Sequence, residues 1–384
     1  MRHLFTPFNL DDLTLPHRVA IAPMTRCRAS QPGDIPTELN ATYYAQRASA
    51  ALIITEATNV SPTACAFERS PGIYSDAQTR GWKKVVDSVH ERGGCIFLQL
   101  WHTGRVGHER LQHGHPPLAP SVTDGRDFLQ VYAMDDCWNA VKIQASLPRE
   151  MTKEEVVRTV NDYGTAARHA KAAGFDGVEI HAANGYLPHQ FLSPGTNHRT
   201  DSYGGSIERR CRFLLEIIDA IKVSFEASRI GVRISPTAKY NDVADPDPPG
   251  TYRYLADRLH EECIGYVHVA DTNAWSGKPH LDEMLPYIRA GYRRTLIANG
   301  GIDAGRAEAL VQGGSVDVVA FGRAFLANPD LPERIQKGAV LNTPNQAFFY
   351  SGGDERGYTD YPTLRELSKD AWTGSKRLGS GSIS

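Results

Sequence analysis

The chain has 384 residues, of which 41% are hydrophobic and 22% charged, and its formal net charge is -2. This composition is typical of a globular protein, and α/β barrels of this length commonly form one domain. Charges of both signs are interspersed, and no run of about eighteen apolar residues occurs, which argues against nucleic-acid and membrane partners.

The amino terminus and the cysteines narrow the class of protein further. The first residues lack the apolar run and cleavage site of a signal peptide, so we expect a cytoplasmic location. The six cysteines are scattered without a C-x-x-C pair, which predicts reduced thiols, no disulfide framework and no structural metal.

Eight short apolar runs predict strands, and amphipathic stretches between them predict helices. In chain order the predicted strands are 18–22, 51–55, 95–100, 177–180, 230–234, 266–270, 295–298 and 316–321. The clearest predicted helices are 77–92, 152–173, 207–226, 250–262 and 303–312. Thr152 with Glu155 is typical of a capping box, and Gly174 of a helix end. Repeated strand–helix alternation predicts one α/β domain, a (β/α)8 TIM barrel.

The predicted third and fourth strands are unusually far apart. Residues 105–150, rich in His, Pro, Asp and Gly, predict a long loop over the barrel mouth that shapes substrate access. The loop histidines have no carboxylate or cysteine partners at metal-ligand spacing, which favours a solvated loop over a metal site; they are His108, His113 and His115. We assign residues 1–378 to the barrel and GSGSIS, 379–384, to a flexible tail.

The loops after the carboxyl ends of barrel strands build the active site in this kind of fold. Gly300 and Gly301 follow the seventh predicted strand, and Gly322 and Arg323 follow the eighth. Barrels of this kind bind phosphate there through backbone N–H groups and a short helix, here predicted at 323–327. The alternative is that these glycines only end strands.

A second group of polar residues follows the fourth and fifth predicted strands. His181 and Asn184 could direct two hydrogen-bond donors at one substrate oxygen, and the Tyr186 phenol could donate a proton to carbon. A rim histidine with a packing tyrosine is the alternative. Arg233 would be a buried cation that needs an anion, either a reduced flavin or a carboxylate such as Asp176 or Glu179.

Many stretches, in one order, resemble the old yellow enzyme family of flavin oxidoreductases from the amino terminus to about residue 362. They are RVAIAPMTRCRAS, YYAQRAS, LIITEATNVSP, DAQTRGWKKVVDSVH, IFLQLWHTGR, FDGVEIHAANGYLPHQFLSPGTNHRTDSYGGSIERR, RISP, ANGGID, VAFGRAFLANPDL and GYTDYP. The series as a whole is specific, although no single stretch is.

The resemblance implies tightly bound, non-covalent FMN across the barrel mouth. Its phosphate would lie near two glycine corners, Gly300–Gly301 and Gly322–Arg323. Residues implied around the flavin ring are Pro23, Met24, Thr25, Ala57, Gln99 and Arg233. Thr25 would bond O4 of the ring, Gln99 would meet the pyrimidine edge, and Arg233 would stabilise the reduced flavin near N1. Thr25 stands where another branch of the family has a cysteine.

The resemblance also implies the substrate side of the site. His181 and Asn184 would hold the substrate oxygen, and Tyr186 would be the proton donor. Trp101 would limit substrate size, and Tyr358 would either close another side of the pocket or anchor the C-terminal segment.

The implied activity is that of an ene-reductase, in which NADPH or NADH reduces FMN. Hydride then passes to the β-carbon of an α,β-unsaturated aldehyde, ketone, maleimide or nitroalkene. Family members are monomers or homodimers. The alternatives are a barrel isomerase or lyase that uses the phosphate pocket for its own substrate, and a catalytically silent flavin-binding scaffold.

Overall fold

The computed structural model describes residues 1–123, 129–275 and 277–368. Its centre is a closed barrel of eight parallel strands, in which each strand pairs with the next in chain order and the eighth pairs with the first. The barrel strands are β1 Val19–Ile21, β2 Ile53–Ile54, β3 Ile96–Trp101, β4 Gly177–Ala182, β5 Ile230–Ile234, β6 Tyr266–Ala270, β7 Thr295–Asn299 and β8 Val318–Phe321. Each lies within a predicted strand or overlaps it, so the predicted (β/α)8 TIM barrel is confirmed.

Helices pack around the barrel. They are α1 Glu38–Gln46, α2 Asp76–His90, α3 Lys153–Ala173, α4 Leu187–Leu192, α5 Ile207–Lys222, α6 Pro248–Glu261, α7 Leu281–Gly291, α8 Ala304–Gln312, α9 Arg323–Ala327 and α10 Leu331–Lys337. The five long predicted helices and the short one at 323–327 are confirmed to within a few residues. The Thr152 capping box forms, and Gly174 ends α3 with a φ of 94°.

Large rings beside glycines fill the amino-terminal end of the barrel. A Cβ added to Gly177 would lie 2.4 Å from the Phe97 ring, and one added to Gly231 would lie 2.1 Å from the Tyr266 ring. The hairpin of strands Phe8–Leu10 and Leu13–Leu15 contributes buried leucines to the same apolar cluster. Packed rings and leucines therefore fill this end of the barrel.

The excursion after β3 is where the sequence predicts it, but part of it is regular structure rather than loop. Strands Gln130–Met134 and Ala140–Gln144 form an antiparallel hairpin. Leu118–Ala119 pairs in parallel with Arg149–Glu150 and ties the two ends of the excursion together. Tyr132 of the hairpin stacks on Phe67 with ring centroids 4.7 Å apart. The hairpin is thereby fixed beside the barrel mouth.

The C-terminal segment packs against the first part of the chain. Arg26, Arg28 and Arg47 are at most 1% exposed. Arg26 Nη2 donates to the Gly357 carbonyl at 2.7 Å, across 331 residues of sequence, and Arg47 Nη2 donates to the Tyr358 carbonyl at 3.3 Å. Buried guanidinium groups need such acceptors, so the segment around Tyr358 is part of the fold rather than an appendage.

Some predictions fall outside the described residues, namely the flexible tail 379–384 and part of the excursion, 124–128. The short strand Thr58–Asn59 pairs with the end of β3. Short 3-10 turns occupy Glu109–Leu111, Ala227–Arg229, Tyr240–Asp242, Asn273–Trp275 and Gln346–Phe348. Within the described residues, no helix combines the length and the apolarity that a membrane crossing requires.

Candidate active site

A cavity of about 580 Å³ opens at the carboxyl ends of the barrel strands. Nearly all of the predicted site residues line it, from seven different strands or the loops after them. These are Pro23, Met24, Thr25, Ala57, Gln99, Trp101, His181, Asn184, Tyr186, Arg233, Gly300, Gly301, Gly322 and Arg323. The glycines predicted to bind phosphate and the polar side chains predicted to bind substrate therefore line the same cavity.

Tyr358 is the exception, and its predicted place at the substrate pocket is corrected. Its ring is fully buried and stacks on Tyr43 of α1, with centroids 4.1 Å apart and planes 2° apart. Burial against Tyr43 makes Tyr358 the anchor of the C-terminal segment. Tyr350, earlier in the same segment, lines the cavity instead, as do Tyr240 after β5 and Phe67 after β2. The rule that loops after strands build the site could have found Tyr240, whereas no sequence signal marks Tyr350.

The glycine corner after β7 is sterically required. Gly300 has a φ of 120°, and an added Cβ would lie 2.4 Å from the Asp271 carbonyl oxygen. Gly301 follows with a φ of 62°. After the neighbouring strand β8, Gly322 precedes α9, whose first N–H groups have no partner within the helix. These positions leave backbone donors close to an anion such as a phosphate.

Arg233 points a buried cation at the other side of the cavity. It is 3% exposed, and its Nη2 donates to Asn299 Oδ1 at 2.8 Å. Its Nε has no partner among the described residues. Neither carboxylate that the sequence offered as a partner lies within ion-pair distance of Arg233 in the described structure. Asp176 contacts His90 and Glu179 contacts His268, although Glu179 is still close enough for its charge to act on Arg233.

His181, Asn184 and Tyr186 converge at the mouth of the cavity. The His181 and Tyr186 rings meet edge to face at 5.1 Å, and Trp101 meets the Tyr186 ring in the same way at 5.0 Å. Asn184 has a φ of 58°, its N–H donates to Ser235 Oγ at 2.8 Å, and its Oδ1 has no partner among the described residues. The turn after β4 is thus fixed by its backbone while the Asn184 amide stays available.

The protonation states of the two ring side chains follow from their burial. Burial, with Arg233 nearby, holds the pKa of His181 well below 6.5, so the imidazole is neutral. The Ala183 N–H donates to His181 Nδ1 at 3.3 Å, which leaves the proton on Nε2 as a donor. Burial, together with Tyr240 and other neighbouring tyrosines, raises the pKa of Tyr186 well above 10. The phenol therefore keeps its proton.

The described part of the chain holds no group of three or more His, Cys, Asp or Glu side chains placed to bind a metal ion. His108 accepts from the Arg110 N–H and begins a 3-10 turn. Cys27 is fully buried, and burial raises the pKa of its thiol.

These features fit a planar ring with a phosphorylated side chain. The glycine corners leave room for the phosphate, and the unfilled Arg233 Nε suits the carbonyl and nitrogen acceptors of a pyrimidine edge. Among the described residues, Trp101 Nε1 and Asn184 Oδ1 are buried polar atoms without partners in the same chamber. Buried polar atoms are seldom left unpaired, so the cavity is built for a polar occupant.

The sequence pattern of the NADH:flavin oxidoreductase / NADH oxidase family matches residues 3–342. The chain is similar to 12-oxophytodienoate reductase 1 of Oryza sativa subsp. japonica, with 41% identity over 96% of this chain and 95% of that protein.

Solved structures with the same fold include morphinone reductase in complex with tetrahydroNAD. That comparison gives a TM-score of 0.88 and 47% identity, covering 94% of this chain and 97% of the other. An old yellow enzyme homologue from Zymomonas mobilis gives a TM-score of 0.88 at 37% identity, covering 94% and 99%.

Proposed function

The chain belongs to the NADH:flavin oxidoreductase / NADH oxidase family, and on that premise we propose that it reduces activated carbon–carbon double bonds, with Tyr186 as proton donor. It is an FMN-dependent oxidoreductase of the old yellow enzyme family that takes its electrons from a nicotinamide nucleotide. The substrate class and the residue roles are the proposal. The observation that carries it is a neutral imidazole, an amide and a protonated phenol that share one cavity with an incompletely paired arginine.

The cavity side chains would hold the cofactor in two places. Gly300, Gly301 and Gly322 would leave their N–H groups to the phosphate, while Arg233 and Gln99 would meet the pyrimidine edge of the ring. When bound, FMN supplies the hydride chemistry, accepting hydride from the nicotinamide and delivering it from N5 to the alkene. Arg233 would offer its cation to the negative charge of reduction.

His181 and Asn184 would bind the oxygen of the activating group. The proton on His181 Nε2 and the amide of Asn184 would donate to a carbonyl or nitro oxygen and draw negative charge onto it. Because the imidazole is neutral, it would polarise this oxygen without transferring its proton. The free Asn184 Oδ1 would also suit the carboxamide N–H of a nicotinamide, which is consistent with one pocket serving both half-reactions.

Tyr186 would deliver the proton to the α-carbon. Its high pKa keeps the phenol protonated, and the edge-to-face contacts with His181 and Trp101 fix its ring. Hydride at the β-carbon and a proton at the α-carbon complete the reduction.

Aromatic walls support an apolar, flat substrate of modest size. Phe67, Trp101, Tyr240 and Tyr350 line the cavity together. We therefore propose α,β-unsaturated aldehydes, ketones, maleimides and nitroalkenes as substrates. We also propose that the protein is a cytoplasmic monomer or homodimer, as the family resemblance implies. The oxygen of each substrate would meet His181 and its carbon chain would meet the rings.

A visible spectrum of the purified protein tests the proposal. We expect a yellow protein whose flavin absorbance bleaches on anaerobic addition of NADPH and returns on addition of an enone. A phenol should give a long-wavelength charge-transfer band with the wild type and none with the H181A/N184A double variant, while Y350F serves as control and keeps the band. A folded protein that holds no FMN at micromolar concentration, or a bleached flavin that no alkene reoxidises, would contradict the proposal.

A further inference from the structure

A layer of polar side chains lies inside the barrel directly below the cavity. Successive residues of a strand point to opposite faces, so Glu179 and His181 of β4 share the inner face. The strand register sets Glu179 opposite Gln99 of β3, and it sets Arg233 opposite both His181 and His268 of β6. Polar groups therefore continue from the cavity floor into the core.

Glu179 is the centre of this layer. It is fully buried, and it accepts hydrogen bonds from Gln99 Nε2 at 2.7 Å and from His268 Nδ1 at 2.8 Å. Gln99 lines the cavity, whereas Glu179 and His268 do not. Glu179 is thus linked to the cavity by its hydrogen bond to Gln99, whose amide it orients.

The charges in the layer nearly cancel. Burial would raise the pKa of Glu179, but the hydrogen bonds from His268 and Gln99, together with the nearby Arg233 cation, outweigh it, so the net shift is downward and the carboxyl is ionised. Burial lowers the pKa of His268, which is therefore a neutral imidazole donating from Nδ1. A buried carboxylate beside the buried Arg233 cation leaves the layer close to neutral. A charge of either sign added above the layer would act through a low dielectric.

We propose that Glu179 is a positioning residue for the flavin, which orients the Gln99 amide toward the pyrimidine edge and offsets the charge of Arg233. The inference rests on the proposed placement of FMN above Gln99 and Arg233. Its orienting role makes binding of the oxidised ring tighter. Its charge opposes the negative charge that reduction places on the ring, so Glu179 lowers the reduction potential and eases hydride release to the alkene.

Two substitutions separate these roles. Glu179→Gln keeps an acceptor for Gln99 but removes the charge, so FMN affinity should stay within about threefold of wild type. The reduced flavin should then bind at least tenfold more tightly relative to the oxidised one, a positive potential shift of about 30 mV for two electrons. Glu179→Ala removes the acceptor as well, so the Kd for FMN should rise about tenfold or more.

The measurements are FMN titration of the apoprotein and dye-equilibrium potentiometry of the holoprotein. Glu155→Gln is the matched control, because Glu155 lies on α3 outside the barrel interior and its carboxylate is likewise held by side-chain partners, here Arg149. It should leave both FMN affinity and potential unchanged. If Glu179→Gln alone does not fold, the double variant E179Q/R233Q removes both buried charges. Its reduction potential should then be more positive than that of R233Q.

The outcomes are distinguishable from failure of the proposed function. A potential of E179Q equal to that of wild type and E155Q, or an E179A apoprotein that binds FMN as tightly as wild type, would overturn the inference while the flavin reactions stand. A wild-type protein that holds no FMN would overturn the proposed function instead.

Discussion

Replacing Tyr186 with phenylalanine should separate the two half-reactions of the enzyme. The substitution removes the phenol oxygen and keeps the ring, so the edge-to-face contacts with Trp101 at 5.0 Å and with His181 at 5.1 Å are retained. The cavity walls and the polar groups of His181 and Asn184 are unchanged. Binding of the alkene and of the nicotinamide should therefore be close to wild type.

The size of the effect follows from the role of the phenol. A positioned general acid contributes about a hundredfold to ten-thousandfold, or about 3–5 kcal/mol of the barrier. Because burial first, and neighbouring tyrosines second, raise the pKa of Tyr186 well above 10, the wild-type phenol is protonated at every working pH. The loss in Y186F should accordingly be the same at neutral and at mildly alkaline pH.

Stopped-flow absorbance of the flavin measures each half-reaction by itself. We expect NADPH to bleach the flavin at a rate within about threefold of wild type. Reoxidation by an enone should be at least about a hundredfold slower than in the wild type. Y350F removes a phenol from the same cavity and should slow neither step. Equal slowing of both half-reactions in Y186F, or no slowing of reoxidation, would refute the assignment.

Three further predictions test other parts of the structure. G300A should weaken FMN binding and lower the free energy of unfolding by at least about 1–3 kcal/mol in urea titrations, because backbone strain and the clash with Asp271 add. G93A is the control, since Gly93 has a φ of 72° and open space around it, so that its substitution causes backbone strain alone. Burial lowers the pKa of His189 to about 3, so below its ordinary pKa the unfolded chain binds a proton that the folded chain does not. Through this residue, the free energy of unfolding of the wild type should fall by about 1.4 kcal/mol per pH unit as the pH falls below about 6.5. In urea titrations, its stability advantage over H189Q should therefore be smaller at about pH 5 than at about pH 7. Y358A should lower the free energy of unfolding by about 3–5 kcal/mol in the same assay, yet leave the KM for an enone unchanged, since Tyr358 packs on Tyr43 away from the cavity.

The barrel and most of its site could be predicted because both depend on local patterns. Each buried strand is a short apolar run, and the barrel topology then brings together residues that follow different strands, such as His181, Arg233 and Gly300. Family resemblance named the cofactor that such a rim would bind. The roles of these residues remain predictions for the experiments above.

The rest depended on contacts that no local pattern records. The helix at Leu281–Gly291 carries Pro286 inside it, which argues against a helix in sequence. Tyr350 and Tyr358 lie in one irregular segment, and only packing against the opposite end of the chain decides which of them faces the cavity. The hairpin after β3 is stabilised by stacking on Phe67, a residue from a different loop.

Arg26 and Arg47 donate hydrogen bonds to carbonyl groups that are synthesised much later than the arginines themselves, and this affects how the protein folds during translation. On a translating ribosome, the residues that form β1 and α1 are made early, whereas the carbonyls of Gly357 and Tyr358 are made 331 residues after Arg26 and 311 residues after Arg47, respectively. At about 5–20 residues per second, the nascent chain waits many seconds before these two guanidinium groups gain the full set of acceptors that they have in the folded protein. We therefore expect Arg26 and Arg47 to reach their native packing only once the C-terminal segment has been made, and a chain that stops before residue 357 to lack these two acceptors.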